Sequence, residues 1–152
     1  MNQDPLKRYP HNHMISIIVG TRPEIIKMSP IIRGCQRQDI GFSLLHTGQH
    51  YSYGMDRIFF EELNLPVPDH HLNVGSGSHA GQTGAIMSGI EQVFEDERPD
   101  VVLVQGDTNT VLAGSLVATK MGILLGHVEA GLRSYDRTMA EEVNRVVKNQ
   151  LS

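Results

Sequence analysis

The chain has 152 residues, of which 39% are apolar and 20% are charged, so it can bury the core of one domain and is neither disordered nor fibrous. Its net charge of −4 argues against nucleic-acid binding. The single cysteine, Cys35, excludes an intrachain disulfide. Apolar runs of about five residues are too short to span a membrane, and residues 1–13 lack the apolar segment of a signal peptide. We therefore expect a cytoplasmic protein whose residues 1–13 form a disordered tail.

From residue 14 onward, the pattern predicts strands that alternate with helices. A β-branched run at 14–20 is typical of a strand buried on both faces. Thr21-Arg-Pro-Glu24 has the capping-box pattern and begins a helix to about Gln38, in which Pro30 is expected to cause a kink or a restart. The later predicted elements are a strand at 42–47, a helix at 56–63, a loop at 67–79 with a short strand at 71–74, a helix at 82–94, a strand at 101–104, a helix at 108–120, a strand at 123–128 and a helix at 141–151.

This alternation without long hairpins predicts an α/β fold, a Rossmann-like parallel sheet with helices on both faces, over residues 14–152. The chain stops at Ser152 within a helical pattern. Because such sheets often bind their ligands against a second domain, we expect the chain to be half of a larger protein.

Three turns that follow predicted strands carry charged residues, and the ligands of this fold bind at such turns. They are Gly20–Glu24, Gln105–Thr110 and His127–Arg133. Two carboxylates and two arginines from these turns, converging on one crevice, would suit proton transfer on an anionic substrate.

Structural roles are equally compatible with these residues. Asp107 is placed to be the N-cap of the helix at Thr108, and Glu141 follows Thr138 at capping-box spacing. Arg22 can be a solvated residue of a first helical turn. The residue pattern alone leaves both interpretations open for each of them.

Two further motifs are weak. The stretch Gly75–Ala80 matches the dinucleotide fingerprint G-x-G-x-x-A, but it follows two βα units instead of opening the first. His70, His71 and His79 lack the spacing of a metal site. We therefore predict neither nicotinamide binding nor a metal.

Five motifs in order closely resemble the N-terminal half of the non-hydrolysing UDP-N-acetylglucosamine 2-epimerases. The resemblance covers residues 15–152, and its specificity comes from the ordered set rather than from any one motif. The motifs are Gly20–Met28, Thr47–His50, Gln105–Thr110, Gly126–Arg133 and Glu141–Arg145. The chain departs from the family pattern at Ala140, where Pro is usual, and at Asn149-Gln150.

The resemblance implies the N-terminal domain of a two-domain fold like that of the B-type glycosyltransferases, with the C-terminal domain absent from this chain. It implies interconversion of UDP-N-acetylglucosamine and UDP-N-acetylmannosamine, by elimination and re-addition of UDP, for cell-surface polysaccharide synthesis. No cofactor or metal is implied, and a homodimer is expected at full length. The alternatives are a hydrolysing relative that releases N-acetylmannosamine and a non-catalytic nucleotide-sugar-binding domain.

The resemblance also implies residue roles. The catalytic carboxylates would be Asp107, Glu129 and Glu141. The substrate-binding residues would be Arg22, Lys27, Arg133 and Arg145. A second, activating UDP-N-acetylglucosamine would contact Gln49 and His50. Burial and neighbouring carboxylates would raise the pKa of a catalytic acid, while the helix N-terminus at 21–24 would stabilise the departing UDP.

Overall fold

The computed structural model describes residues 13–152, so the predicted tail lies, apart from His13, outside the described residues. Strands and helices alternate along the chain, as predicted. The strands are β1 (Ile15–Val19), β2 (Phe42–His46), β3 (His70–His71), β4 (Val101–Gln105) and β5 (Leu124–Val128). The helices are α1 (Arg22–Arg37), α2 (Tyr53–Glu62), α3 (His79–Glu97), α4 (Asn109–Lys120) and α5 (Ala140–Lys148). Within the described part of the chain, no helix is long and apolar enough to cross a membrane.

The five strands form one sheet in the order β3-β2-β1-β4-β5, and every pairing is parallel. The chain first winds outward from β1 to β3, and then returns to place β4 on the other side of β1. The connections after β1 and β4 therefore diverge, which opens a crevice at the carboxyl ends of these two strands. The predicted Rossmann-like parallel sheet is confirmed.

An apolar core lies on each face of this sheet, which confirms helices on both faces. The core on one side joins α1 and α2 to the strands and contains Ile17, Val19, Ile25, Met28, Ile32, Cys35, Phe42, Leu44 and Phe60. The core on the other side joins α3 and α4 to the strands and contains Ile18, Leu45, Ile86, Ile90, Phe94, Val102, Val104, Val111, Ala113, Val117 and Ala118. Strand residues of alternating parity supply the two cores, as the two-residue period of a strand requires.

Several predicted boundaries differ from the structure because polar caps lie outside the apolar pattern. Helix α2 begins three residues earlier than predicted, after Ser52, whose carbonyl accepts the Asp56 N–H. Helix α3 also begins three residues early, at His79, and the hydroxyl of its N-cap Ser78 accepts the Gly81 N–H at 3.1 Å. The strand predicted at 71–74 is instead a two-residue strand.

Helix α1 continues through Pro30 instead of restarting there. Proline has no N–H, so the carbonyl of Ile26, four residues earlier, loses its helical partner. The hydroxyl of Ser29 donates to that carbonyl at 2.8 Å. This local hydrogen bond satisfies the acceptor that Pro30 leaves free, which explains why the helix is not interrupted.

Ser29→Ala should therefore lower the free energy of unfolding by about 1 kcal/mol, because the Ile26 carbonyl loses its donor. In a Pro30→Ala background, the restored backbone N–H can serve the carbonyl, and the same serine change should cost clearly less. Urea unfolding of the four proteins measures this coupling. Equal losses in both backgrounds would show that Ser29 does not compensate for the proline.

Candidate active site

A polar cleft of about 220 Å³ lies at the carboxyl ends of β1, β4 and β5. All three turns singled out in the sequence contribute to it. Its lining consists of Thr21, Pro23, Glu24, Lys27, Gln105, Gly106, Asp107, Thr108, Glu129, Leu132, Arg145 and Lys148. Carboxylates and cations from distant parts of the chain thus share one concave surface.

Glu129 is the first residue after β5 and is held by two donors. Lys27 Nζ lies 2.9 Å from each of its carboxylate oxygens, and the Gln105 side-chain amide also donates to it. The hydrogen bond from Lys27 lowers the pKa of Glu129, the opposite of the raised pKa expected for a catalytic acid. Glu129 has φ of 63°, a strained conformation for a non-glycine residue that often marks functional sites.

Asp107 follows β4 and does not cap the next helix. The N-cap of α4 is Thr108, whose hydroxyl accepts the Val111 N–H at 3.4 Å. Asp107 Oδ2 instead lies 2.5 Å from Arg145 Nη2. The interpretation of Asp107 as a helix cap is therefore wrong, and its carboxylate remains on the wall of the cleft.

Glu24 is a carboxylate of this cleft that the sequence had indicated only as a cap. It is buried, and it accepts the N–H groups of Gly20 and Thr21 at 2.6 and 2.8 Å and the Thr108 hydroxyl at 2.5 Å. Its bond to Thr21 confirms the glutamate half of the predicted capping box. Burial raises the pKa of Glu24 to about 7. Because Glu24 occupies these two N–H groups, they are not open to a departing UDP as we had expected.

Lys148 was also missed from the sequence. Its side chain is buried, with Nζ 2.8 Å from His127 Nε2 and in contact with the Gly106 carbonyl. Burial lowers the pKa of Lys148 to about 8. A signal in the sequence could have indicated this residue: Lys148 shares one face of α5 with Asn144 and Arg145 by its spacing.

Two neighbouring glutamates in the first turn of α5 lie in different surroundings. Glu142 is fully buried, and the Ser134 N–H at 2.9 Å, together with Arg133 at 2.6 Å, lowers its pKa to about 2. Glu141 is exposed and takes no part in a capping box. The N-cap of α5 is Met139, and the Thr138 hydroxyl donates to Asp136 instead. The capping box proposed for Thr138 and Glu141 is therefore wrong.

A second cleft of about 270 Å³ adjoins the first, and Asp107 and Thr108 line both. Exposed residues of this second cleft include His50 and Glu141. Gln49 also lines it, but its side-chain oxygen is engaged by the Thr110 N–H at 2.9 Å and by the Thr110 hydroxyl at 2.6 Å. Gln49 therefore joins β2 to α4, whereas His50 is open to solvent.

The structure separates the four predicted substrate-binding residues. Arg145 and Lys27 line the first cleft, whereas Arg22 and Arg133 are absent from its lining. Arg133 is bound to Glu142, and Arg22 Nε lies 3.1 Å from Asp56 Oδ1. The first cleft thus brings together four of the predicted site residues, and it adds Glu24, Gln105 and Lys148.

The two weak motifs have local structural partners. The Gly75–Ala80 stretch leads from β3 into α3, and the Gly75 N–H donates to the Gly48 carbonyl at 2.7 Å. His70 lies 2.6 Å from Glu97, and His79 lies 3.1 Å from Asn109. Across residues 13–152, no group of three or more His, Cys, Asp or Glu side chains is arranged to hold a metal ion.

Glu24 should make the fold less stable as the pH rises from about 4.5 to about 7. Its pKa is higher in the fold than in the unfolded chain, so the folded state holds an additional proton in this range and loses that advantage as the proton leaves. The shift corresponds to about 3 kcal/mol. Glu24→Gln cannot titrate and should flatten this part of the profile in urea unfolding across pH. Parallel profiles for the two proteins would contradict the prediction.

The chain matches a family model described as UDP-N-acetylglucosamine 2-epimerase over residues 33–152. It is 62% identical over 138 residues to the UDP-N-acetylglucosamine 2-epimerase of Methanocaldococcus jannaschii, covering 91% of this chain and 38% of the relative. The chain therefore spans well under half of that relative's length.

Solved structures show the same correspondence. A crystal structure of the M. jannaschii UDP-GlcNAc 2-epimerase in complex with UDP-GlcNAc and UDP matches with a TM-score of 0.88 and 61% identity, over 91% of this chain and 38% of that one. A Streptomyces glycosyltransferase, SsfS6, complexed with thymidine diphosphate, matches with a TM-score of 0.57 and 17% identity, over 90% of this chain and 43% of that one. At this identity, the match shows a shared fold alone. On the family match and the shared fold, the chain belongs to the UDP-N-acetylglucosamine 2-epimerase family.

Proposed function

We propose that residues 14–152 are the N-terminal domain of a non-hydrolysing UDP-N-acetylglucosamine 2-epimerase. The observation that carries the proposal is the pair of carboxylates in one cleft, Asp107 and Glu129, each bound to a cation from another element. The structure of the M. jannaschii relative with UDP-GlcNAc and UDP supports the substrate. The remainder of the enzyme would supply the second wall of the cleft. The full-length enzyme would form a homodimer.

The reaction begins with removal of the sugar C2 proton by a carboxylate. The C2–H electron pair forms a C1–C2 double bond, and the C1–O bond breaks so that UDP leaves with its electrons. Re-addition restores the C1–O bond while C2 receives a proton on the opposite face. Two proton-transfer groups on opposite sides of the sugar ring suit this sequence, because C2 must be inverted.

In this proposal each charged group has a task that its geometry supports. Lys27 holds Glu129 as the ionised carboxylate, which is the form required of a base. Arg145 pairs with the Asp107 carboxylate and adds positive charge near a leaving diphosphate. Glu141 is placed on the adjoining cleft, beyond Asp107, and would approach the reacting sugar from that side.

The isolated 152-residue chain should show no epimerase turnover and should bind UDP only weakly, with a Kd of about 1 mM. A chimera in which this chain replaces the matching N-terminal 38% of the M. jannaschii relative should be active. Chromatography should find UDP-N-acetylmannosamine as the product. Release of free N-acetylmannosamine would identify a hydrolase instead, and a soluble, folded but inactive chimera would contradict the proposal.

In that chimera, Asp107→Asn and Glu129→Gln should each lower kcat by about 10²–10⁴-fold, because an amide cannot exchange the proton usefully. Both changes keep the side-chain shape, so the free energy of unfolding should change by only about 1 kcal/mol. Glu91→Gln, on the exposed surface of α3, is the matched control and should change neither quantity. Near-normal turnover of the Asp107 variant would leave Asp107 as a partner of Arg145 only.

A further inference from the structure

A buried carboxylate lies directly behind Arg22. Asp56, in the first turn of α2, is fully buried, and its two oxygens have different partners. Oδ1 lies 3.1 Å from Arg22 Nε, and Oδ2 lies 3.1 Å from Nε2 of His46, which is fully buried on β2. The three side chains form a continuous line from the sheet to the half-exposed guanidinium.

The charges in this line can be assigned from chemistry. Burial lowers the pKa of His46, which favours its neutral imidazole, and a carboxylate can only accept hydrogen bonds. His46 Nε2–H therefore donates to the carboxylate, and Arg22 supplies the balancing positive charge. A buried carboxylate with two donors is held rigidly, because removal of either donor would leave an acceptor without a partner.

The contacts of Arg22 leave its outer nitrogens free. Asp56 engages Nε, while the guanidinium carbon lies 4.2 Å from the ring centre of Tyr51 and 5.1 Å from that of Phe59. Within residues 13–152, neither Nη1 nor Nη2 has a hydrogen-bond partner. Thr21 and Pro23, on either side of Arg22 in the chain, both line the first cleft. Arg22 therefore belongs to the turn that borders this cleft, although its side chain is not part of the lining.

We propose that Asp56 is a positioning residue, which holds Arg22 by Nε so that Nη1 and Nη2 bind the diphosphate of the nucleotide sugar. The inference rests on the proposed function, which supplies the anionic substrate. An arginine held by one nitrogen still offers two parallel N–H donors, the geometry suited to a phosphate group. Pre-ordering of the side chain would lower the entropic cost of binding, so Asp56 should influence substrate affinity more than the chemical step.

In the active chimera, Asp56→Asn should raise KM for UDP-N-acetylglucosamine about tenfold and leave kcat within about twofold. Glu61→Gln is the matched control, since Glu61 is an exposed carboxylate of the same helix, paired with Arg57 at 3.3 Å. It should change neither constant. An unchanged KM in the Asp56 variant would overturn the inference.

A double-mutant cycle separates positioning from structural support. Arg22→Gln should raise KM and lower Tm, because it leaves the buried Asp56 carboxylate unpaired. Adding Asp56→Asn should recover part of the lost Tm but should not raise KM further, since no arginine remains to be positioned. An equal rise in KM in both backgrounds, or no effect of Arg22→Gln on KM, would overturn the proposal.

Nuclear magnetic resonance of the 152-residue chain tests the positioning itself without catalysis. The Arg22 Nε–H should give a distinct, slowly exchanging resonance, which Asp56→Leu abolishes because leucine offers no acceptor, and which Glu61→Gln preserves. Survival of that resonance in the Asp56 variant would contradict the inference, even if the chimera were inactive. An inactive chimera in which the resonance behaves as expected would count against the proposed function alone.

Discussion

The candidate site depends on the parallel pairing of β1 with β4, two strands separated by more than 80 residues along the chain. This pairing places the turn after β1 beside the turn after β4, although one leads to the first helix and the other to the fourth. Glu24 then fastens the two turns together, because it accepts hydrogen bonds from Gly20, Thr21 and Thr108. Without this pairing, the charged turns would lie at unrelated positions on the surface.

The charges of the cleft are balanced in pairs drawn from different elements. Lys27 on α1 pairs with Glu129 after β5, and Arg145 on α5 pairs with Asp107 after β4. The Lys27 pair lowers the pKa of Glu129, and both pairs tie the helices to the sheet edge. Glu24 has no cation partner among its described contacts, and burial raises its pKa to about 7. Glu24, the cleft carboxylate with the raised pKa, is therefore also the residue that joins the two turns.

Helix α5 shows how one helix can serve both the fold and the cleft. Its Glu142 is buried on Arg133 and Ser134 and anchors the loop that precedes the helix. Its Asn144, Arg145 and Lys148 contact Asp107 or the Gly106 carbonyl, which border the cleft. Neighbouring residues of the Glu141–Arg145 motif therefore have different tasks, and only the three-dimensional arrangement distinguishes a structural glutamate from a cleft glutamate.

The amino-acid sequence by itself determined the order of strands and helices, the parallel sheet and the turns that carry the site, because hydrophobic period and turn chemistry are local properties. It also indicated Asp107, Glu129, Lys27 and Arg145 as candidate site residues, through motifs that resemble a known family, and these four line one cleft. It could not reveal that Thr108 rather than Asp107 caps α4, that Glu24 lies buried in the cleft, or that Lys148 reaches Gly106. It also could not show that Arg22 turns toward Asp56, since the two residues lie 34 positions apart. Tertiary structure decided these features, because burial and the choice of partner depend on which side chains the sheet topology brings together.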